Sequence, residues 1–144
     1  MRRFLAEEIE FLVIGAQAMR AHGFDRATRD LDLLVEASAA NAMKLADVLP
    51  AYLSAVTFQI TADVLPLPDK LIRLPDQYMS EVDVLTSLAG IDFRAASRRR
   101  CFAQWGSLRL PFLAIEDLYE SKRKSQNPRD QLDAALLAPY LQAV

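Results

Sequence analysis

The sequence predicts an α/β fold in which helices pack a sheet with two acid-bearing strands. Three observations predict it. A short, wholly apolar run, Phe11–Ile14, stops at Gly15 and gives way to a brief helical pattern, as a buried strand turning into a helix would. A second apolar run, Leu31–Val35, is led by Asp30 and interrupted by Asp32, and a third stretch, Tyr78–Thr86, alternates apolar and polar with Asp83 at its middle. From Ile115 onward the apolar spacing is helical, broken at Asn127-Pro128.

The 144 residues suit one domain with a real core. With 52% hydrophobic and 25% charged residues, the chain is no candidate for disorder. The net charge of −2 hides an uneven distribution: residues 1–92 hold 8 Lys and Arg against 14 Asp and Glu, and residues 93–144 hold 9 against 5. An acidic part suits cations and a basic part suits phosphates. The single cysteine, Cys101, excludes an intrachain disulfide and fits a reducing compartment. Glu7, Glu8 and Glu10 interrupt any apolar leader, and no run of 18 apolar residues suggests a membrane span. A cytoplasmic protein without membrane contact is the expectation.

In order, residues 2–8 predict a short helix with Phe4, Leu5 and Ile9 inward. Phe11–Ile14 is a strand buried on both faces, and Gly15 permits a tight turn into a helix from Ala16 to about Ala21. Gly23 suits the left-handed position just past that helix's end. Leu31–Val35 is the second strand. Ser38 caps a helix that runs on to about Tyr52, with Ala42, Leu45, Ala46 and Leu49 at helical spacing. Val56–Val64 and Leu71–Leu74 read as strands closed by prolines, and Tyr78–Thr86 as a half-buried strand. The pattern weakens from Ile91 on. Phe102–Trp105 and Leu108–Leu110 flank Gly106-Ser107 as a hairpin would. Helices follow at Ile115 to about Lys124 and Arg129 to about Leu141, with a kink expected at Pro139.

Chemistry concentrates on the acids. Residues i and i+2 of a strand share a face, which sets the Cα atoms of Asp30 and Asp32 about 6.5 Å apart. Two carboxylates that close resist joint ionisation, and a divalent metal relieves the conflict. Asp83, among apolar neighbours, also needs a partner, whether a metal or an arginine. His22, the one histidine, reads as a helix-end or core residue, since it lacks companion ligands. Arg26 and Arg29 flank the acids and suit phosphate, with a turn role equally open for Arg26. Arg98–Arg100 reads as a solvated face. Asp130 and Asp133, on one helix face, suit pairing with Lys122–Lys124. Trp105 reads as core. A haloacid-dehalogenase arrangement is disfavoured, because here the acids begin their strand and no threonine follows them.

The succession of strand, Gly15, short helix, His22-Gly23, Arg26-Ala27-Thr28, Asp30-Leu31-Asp32 and the later Val82-Asp83-Val84 resembles the polymerase-beta-like nucleotidyltransferase superfamily. Within it, the nearest look is to minimal nucleotidyltransferases and AbiEii-type toxins. The C-terminal Glu116–Asp133 stretch is similar to the lysine-bearing helix and following acidic helix that often close such proteins. The resemblance implies a nucleotidyltransferase fold, a mixed β-sheet flanked by helices with a C-terminal helical pair. It also implies Mg²⁺-dependent transfer of a nucleotide from a nucleoside triphosphate to a hydroxyl of RNA, protein or a small molecule, in a setting that includes a toxin paired with an antitoxin.

On that reading Asp30, Asp32 and Asp83 are the catalytic and metal-holding residues. Gly15, Ala16, Gln17, Arg29 and Lys122 are the candidates for the nucleotide. The family's loop usually reads Gly-Gly or Gly-Ser, whereas this chain has Gly15-Ala16. Ala16 lacks a hydroxyl and narrows the approach to phosphate, and Gln17 is the nearest alternative donor. The competing reading is a non-catalytic nucleotide- or partner-binding module that keeps the acids without the loop.

Overall fold

A computed structural model of the chain describes residues 1–52, 65–75 and 81–141. It is a mixed α/β fold. Six strands form one sheet: β1 (Phe11–Ile14), β2 (Leu31–Val35), β3 (Leu71–Pro75), β4 (Glu81–Leu85), β5 (Cys101–Trp105) and β6 (Leu108–Phe112), ordered β3-β4-β2-β1-β6-β5. The sheet is mixed. β1 runs antiparallel to β2 and parallel to β6, β2 runs parallel to β4, and the outer strands β3 and β5 are antiparallel to their neighbours. The helices are α1 (Arg2–Ala6), α2 (Gly15–Ala21), α3 (Ala39–Val48), α4 (Phe93–Arg99), α5 (Ile115–Lys124) and α6 (Pro128–Leu141). The strand expected at Val56–Val64, and the Tyr78–Ser80 start of another, lie outside the described residues.

The core follows from the apolar runs. All four residues of β1 are buried, as a central strand covered on both faces requires. Leu33, Val35, Leu45, Val84, Leu110 and Leu118 join them from five other elements. Phe4 reaches this core edge-on against Phe11, with ring centroids 5.6 Å apart, while Leu5, expected inward, is exposed because α1 lasts only five residues. Buried Asn41 ties α3 to the sheet by accepting the Glu10 N–H at 2.8 Å and donating to the Glu10 and Glu36 carbonyls.

Local signals set the ends of elements. Gly23 (φ +91°) and Phe24 close α2 with N–H groups bonded to the Arg20 and Met19 carbonyls, a Schellman end. Ser38 caps α3 through the Asn41 N–H. Asn127 caps α6 ahead of Pro128, and α6 continues through Pro139 to Leu141. Helix α4 is the one described helix the sequence does not announce: it buries only Ala96, so it carries no apolar stripe. Asp92 caps it by accepting the Ala95 N–H at 2.8 Å. The arginine run at its end is not wholly solvated, since Arg99 grips the buried Asp117 of α5 with two N–H groups. No helix among the described residues is long and apolar enough to cross a membrane.

Candidate active site

Two strands far apart in sequence bring the acids together. Parallel β2 and β4 register Asp32 against Asp83. Their side chains therefore leave the same face of neighbouring strands, whose backbones are about 4.8 Å apart. Asp30 lies one residue before β2 and is exposed; its carboxylate accepts the Glu81 N–H at 3.4 Å, at the head of the same two strands. Asp32 and Asp83 thus share one face of the β2–β4 pair, with the exposed Asp30 at its head.

Gly15 closes the other side. It has φ +65°, which disfavours any side chain, and a Cβ placed there would collide with the Asp32 carboxylate. Across β1 and β2, Ile14 is the register partner of Asp32, which brings the turn onto the acid. A cleft of about 330 Å³ opens here, and Gly15, Asp32, Asp83, Ser121, Lys122 and Asp130 are among its lining residues. Burial raises the Asp32 carboxyl to about 6, and the charges of Asp83 and Asp30 push it the same way; Lys122 and Arg73 pull it back. Asp32 is the strained charge of the group.

Asp83 has found a cation. Arg73, its cross-strand neighbour on β3, donates Nε to Oδ1 at 2.9 Å and Nη2 to Oδ2 at 3.0 Å, and its Nε also lies 3.3 Å from Glu81. Of the two partners the sequence leaves open for Asp83, metal and arginine, the structure supplies the arginine. Arg73 is the one charged residue of Leu71–Pro75, a visible signal. Its register against Asp83 was not visible.

The remaining named residues divide between two places. Lys122 lines the carboxylate cleft from α5 and is paired with Asp130 and, at 3.1 Å, with Asp133 of α6, as their helix spacing suggests. Ala16 follows Gly15 at the half-buried start of α2, where no side chain caps the helix. Gln17 and Arg29 line a second cavity, with Trp105, which is half-buried. Arg26 pairs with Asp133, and His22 Nε2 donates to the Leu113 carbonyl at 2.8 Å, the core role expected of it.

Asp32 and Asp83 offer hard oxygens, and Asp30 stands at their head. Among the described residues no three His, Cys, Asp or Glu side chains, the expected set of Asp30, Asp32 and Asp83 included, form a group that could hold a metal ion. Carboxylate oxygens are the kind of ligand that Mg²⁺ would take, with water and phosphate completing its shell. No family model matches the chain, and no curated protein matches it.

Proposed function

We propose that this chain is a Mg²⁺-dependent nucleotidyltransferase that moves a nucleotide from a nucleoside triphosphate to a hydroxyl group. The observation that carries the reading is the registered Asp32–Asp83 pair beside the Gly15 turn. Mg²⁺ held there would neutralise phosphate charge and stabilise the attacking and leaving oxygens. The chain's own residues have distinct tasks. Asp32 and Asp83 would hold the metal, with Asp30 strengthening the negative field. Gly15 leaves the backbone open to the triphosphate, and the free N–H groups at the start of α2 face it. Lys122 supplies positive charge from the far wall of the cleft. The acceptor oxygen bonds to the α-phosphorus, the bond to the β-phosphate oxygen breaks, and pyrophosphate leaves. The hydroxyl proton passes to Asp83, which must first let go of Arg73.

The acceptor hydroxyl belongs to RNA, a protein or a small molecule. The setting the resemblance implies is a toxin paired with a small antitoxin, and the single cysteine fits the cytoplasm. The test is incubation with labelled nucleoside triphosphates, Mg²⁺ and separated cellular RNA and protein. Label should enter one fraction, need Mg²⁺, and fall roughly a hundredfold or more in Asp32→Ala. Equal labelling by Asp32→Ala would sink the reading.

The bidentate Arg73–Asp83 pair and the Gly15-Ala16 loop favour a second reading, a non-catalytic module in which arginine replaces metal as the counter-charge. Calorimetric titration separates the two. Nucleotide binding that requires both Mg²⁺ and Asp32 belongs to the enzyme, and binding indifferent to both belongs to the module.

A further inference from the structure

The carboxylates of the cleft stand in a registered row, and a row of different character lies beside it. Across β2, β4 and β3 the first row is Asp32, Asp83 and Arg73. Two residues further along, and therefore on the same face of the sheet, the second row is Leu34, Leu85 and Leu71. The rows are about 6.5 Å apart, since each strand residue advances about 3.3 Å. Leu34 is buried and Leu85 half-buried, but Leu71 is 57% exposed, so the apolar row is open at its outer end. Leu71 and Leu85 line the same cleft as the two aspartates, together with Leu88 and Ala89.

Leu88 and Ala89 belong to the turn after β4, in which the Leu88 carbonyl accepts the Ile91 N–H at 3.1 Å. This turn packs against α5. A Cβ at Gly90 would strike the Lys124 side chain, and Lys124 is itself held by Glu120 at 2.8 Å. The cleft therefore has an apolar floor and an apolar end. Its α5 wall is polar, but the donors there are engaged within the protein. Ser121 Oγ donates to the Leu118 carbonyl, Ser125 Oγ donates to Asp130, and Lys122 pairs with Asp130 and Asp133.

We propose that the nucleoside of the triphosphate lies over the Leu85–Leu71 row with its base against Leu88, and that the site does not select among bases. The inference rests on the transferase reading: phosphates placed at the carboxylate row set the sugar and base over the row beside it. Contact between leucine and the face of a base is open to every base. Discrimination instead needs hydrogen bonds to base edges, and a site built around such bonds rejects the wrong partner by orders of magnitude. An apolar floor separates ligands only by the area they cover.

Calorimetric titration of the full chain in Mg²⁺ buffer, with each of ATP, GTP, CTP and UTP and with inorganic tripolyphosphate, tests the proposal. The four nucleotides should bind within about tenfold of one another, the larger purines ahead, and tripolyphosphate at least about tenfold more weakly than any of them. Leu71→Ser, at an exposed position, and Leu88→Asn should each weaken all four nucleotides by about threefold or more and leave tripolyphosphate unchanged. A preference above about tenfold for one base would overturn the proposal. So would tripolyphosphate binding as tightly as the nucleotides, or nucleotide affinities untouched by both leucine substitutions. The two readings fail differently. Base-selective binding that is lost in Asp32→Ala overturns this proposal alone, whereas absence of binding by every triphosphate overturns the transferase reading and this one with it.

Discussion

Asp32 and Asp133 are both aspartates shielded from water, yet their surroundings treat them in opposite ways. Asp133, on α6, is only 2% exposed, but Lys122 lies 3.1 Å from one oxygen and Arg26 Nε 3.1 Å from the other. Its neighbour Asp130 is paired as well: burial pushes the Asp130 carboxyl up, but hydrogen bonds from Lys122 and Ser125 outweigh it and hold it below the usual carboxylate range. Asp32 is less buried, and no cation is hydrogen-bonded to it among the described residues. Its carboxyl is carried up to about 6 by burial and by Asp83 and Asp30. Burial alone therefore does not mark a functional acid. What sets Asp32 apart is burial beside like charges with no cation hydrogen-bonded to it, a condition a metal would relieve.

The largest expected effect lies on the paired side. Asp133→Ala leaves Lys122 and Arg26 facing a buried gap and should cost about 3 kcal/mol or more, read as a lower urea midpoint. A loss below about 1 kcal/mol would mean that the α5–α6 network is far more hydrated than its burial suggests, and the contrast with Asp32 would weaken. Next comes Gly15→Ala. A side chain at φ +65° costs about 1–2 kcal/mol, and the added methyl must displace the Asp32 carboxylate. Stability should fall by about 2 kcal/mol, and Mg²⁺-dependent nucleotide binding should disappear with it. Binding that survives the substitution would separate Gly15 from the site.

Asp32→Asn should do the reverse and stabilise the fold. The sign follows from linkage. The folded-state carboxyl lies near 6, above its ordinary 3.8. Ionising Asp32 therefore favours the unfolded chain. The penalty is absent below about pH 4, grows as pH rises, and is complete above about pH 6. Removing the carboxylate should gain about 1 kcal/mol at pH 7.5, after allowance for solvent screening of a partly exposed group, and nothing at pH 4. Thermal melts of both proteins at the two pH values read the difference. A gain independent of pH would point to packing rather than charge.

What was legible in the sequence follows the range of the forces involved. Phe11–Ile14, the α2 turn, Leu31–Val35, the hairpin and the C-terminal helices are set by local periodicity and caps, and they appear where the apolar spacing puts them. The nearness of Asp30 and Asp32 was legible from strand periodicity, but that of Asp83 to Asp32 only through resemblance; the parallel pairing of β2 and β4 brings it about. Helix α4 was not legible, because it rests on the Asp92 cap and the Arg99–Asp117 pair rather than on an apolar face. Nor was the division of the nucleotide candidates. Gly15 and Lys122 face the carboxylate cleft, while Gln17 and Arg29 face the second cavity, a partition created by the packing of α2 between them. Arg73 was the main omission. Its charge interrupts an apolar strand, but only the β3–β4 register reveals that it opposes Asp83.

Arg73→Ala is the smallest perturbation of the fold and the sharpest probe of the comparison. The arginine is largely exposed on an outer strand, so its loss should barely move the urea midpoint. Its effect should fall on the acids. With the guanidinium gone, both Asp83 oxygens are released, and one of the two charges that hold the Asp32 carboxyl down is lost. If the cleft is a metal site, Arg73 is a competitor. Mg²⁺ affinity above pH 7 should then rise several-fold in the variant, with the onset of binding displaced to higher pH because Asp32 ionises later. If arginine is the permanent counter-charge of a module, the variant should gain no Mg²⁺ response, and its stability should instead decline as pH rises and the acids ionise against one another. Mg²⁺ titrations at pH 6 and pH 8, run with melts on the same samples, distinguish a competitor from a substitute.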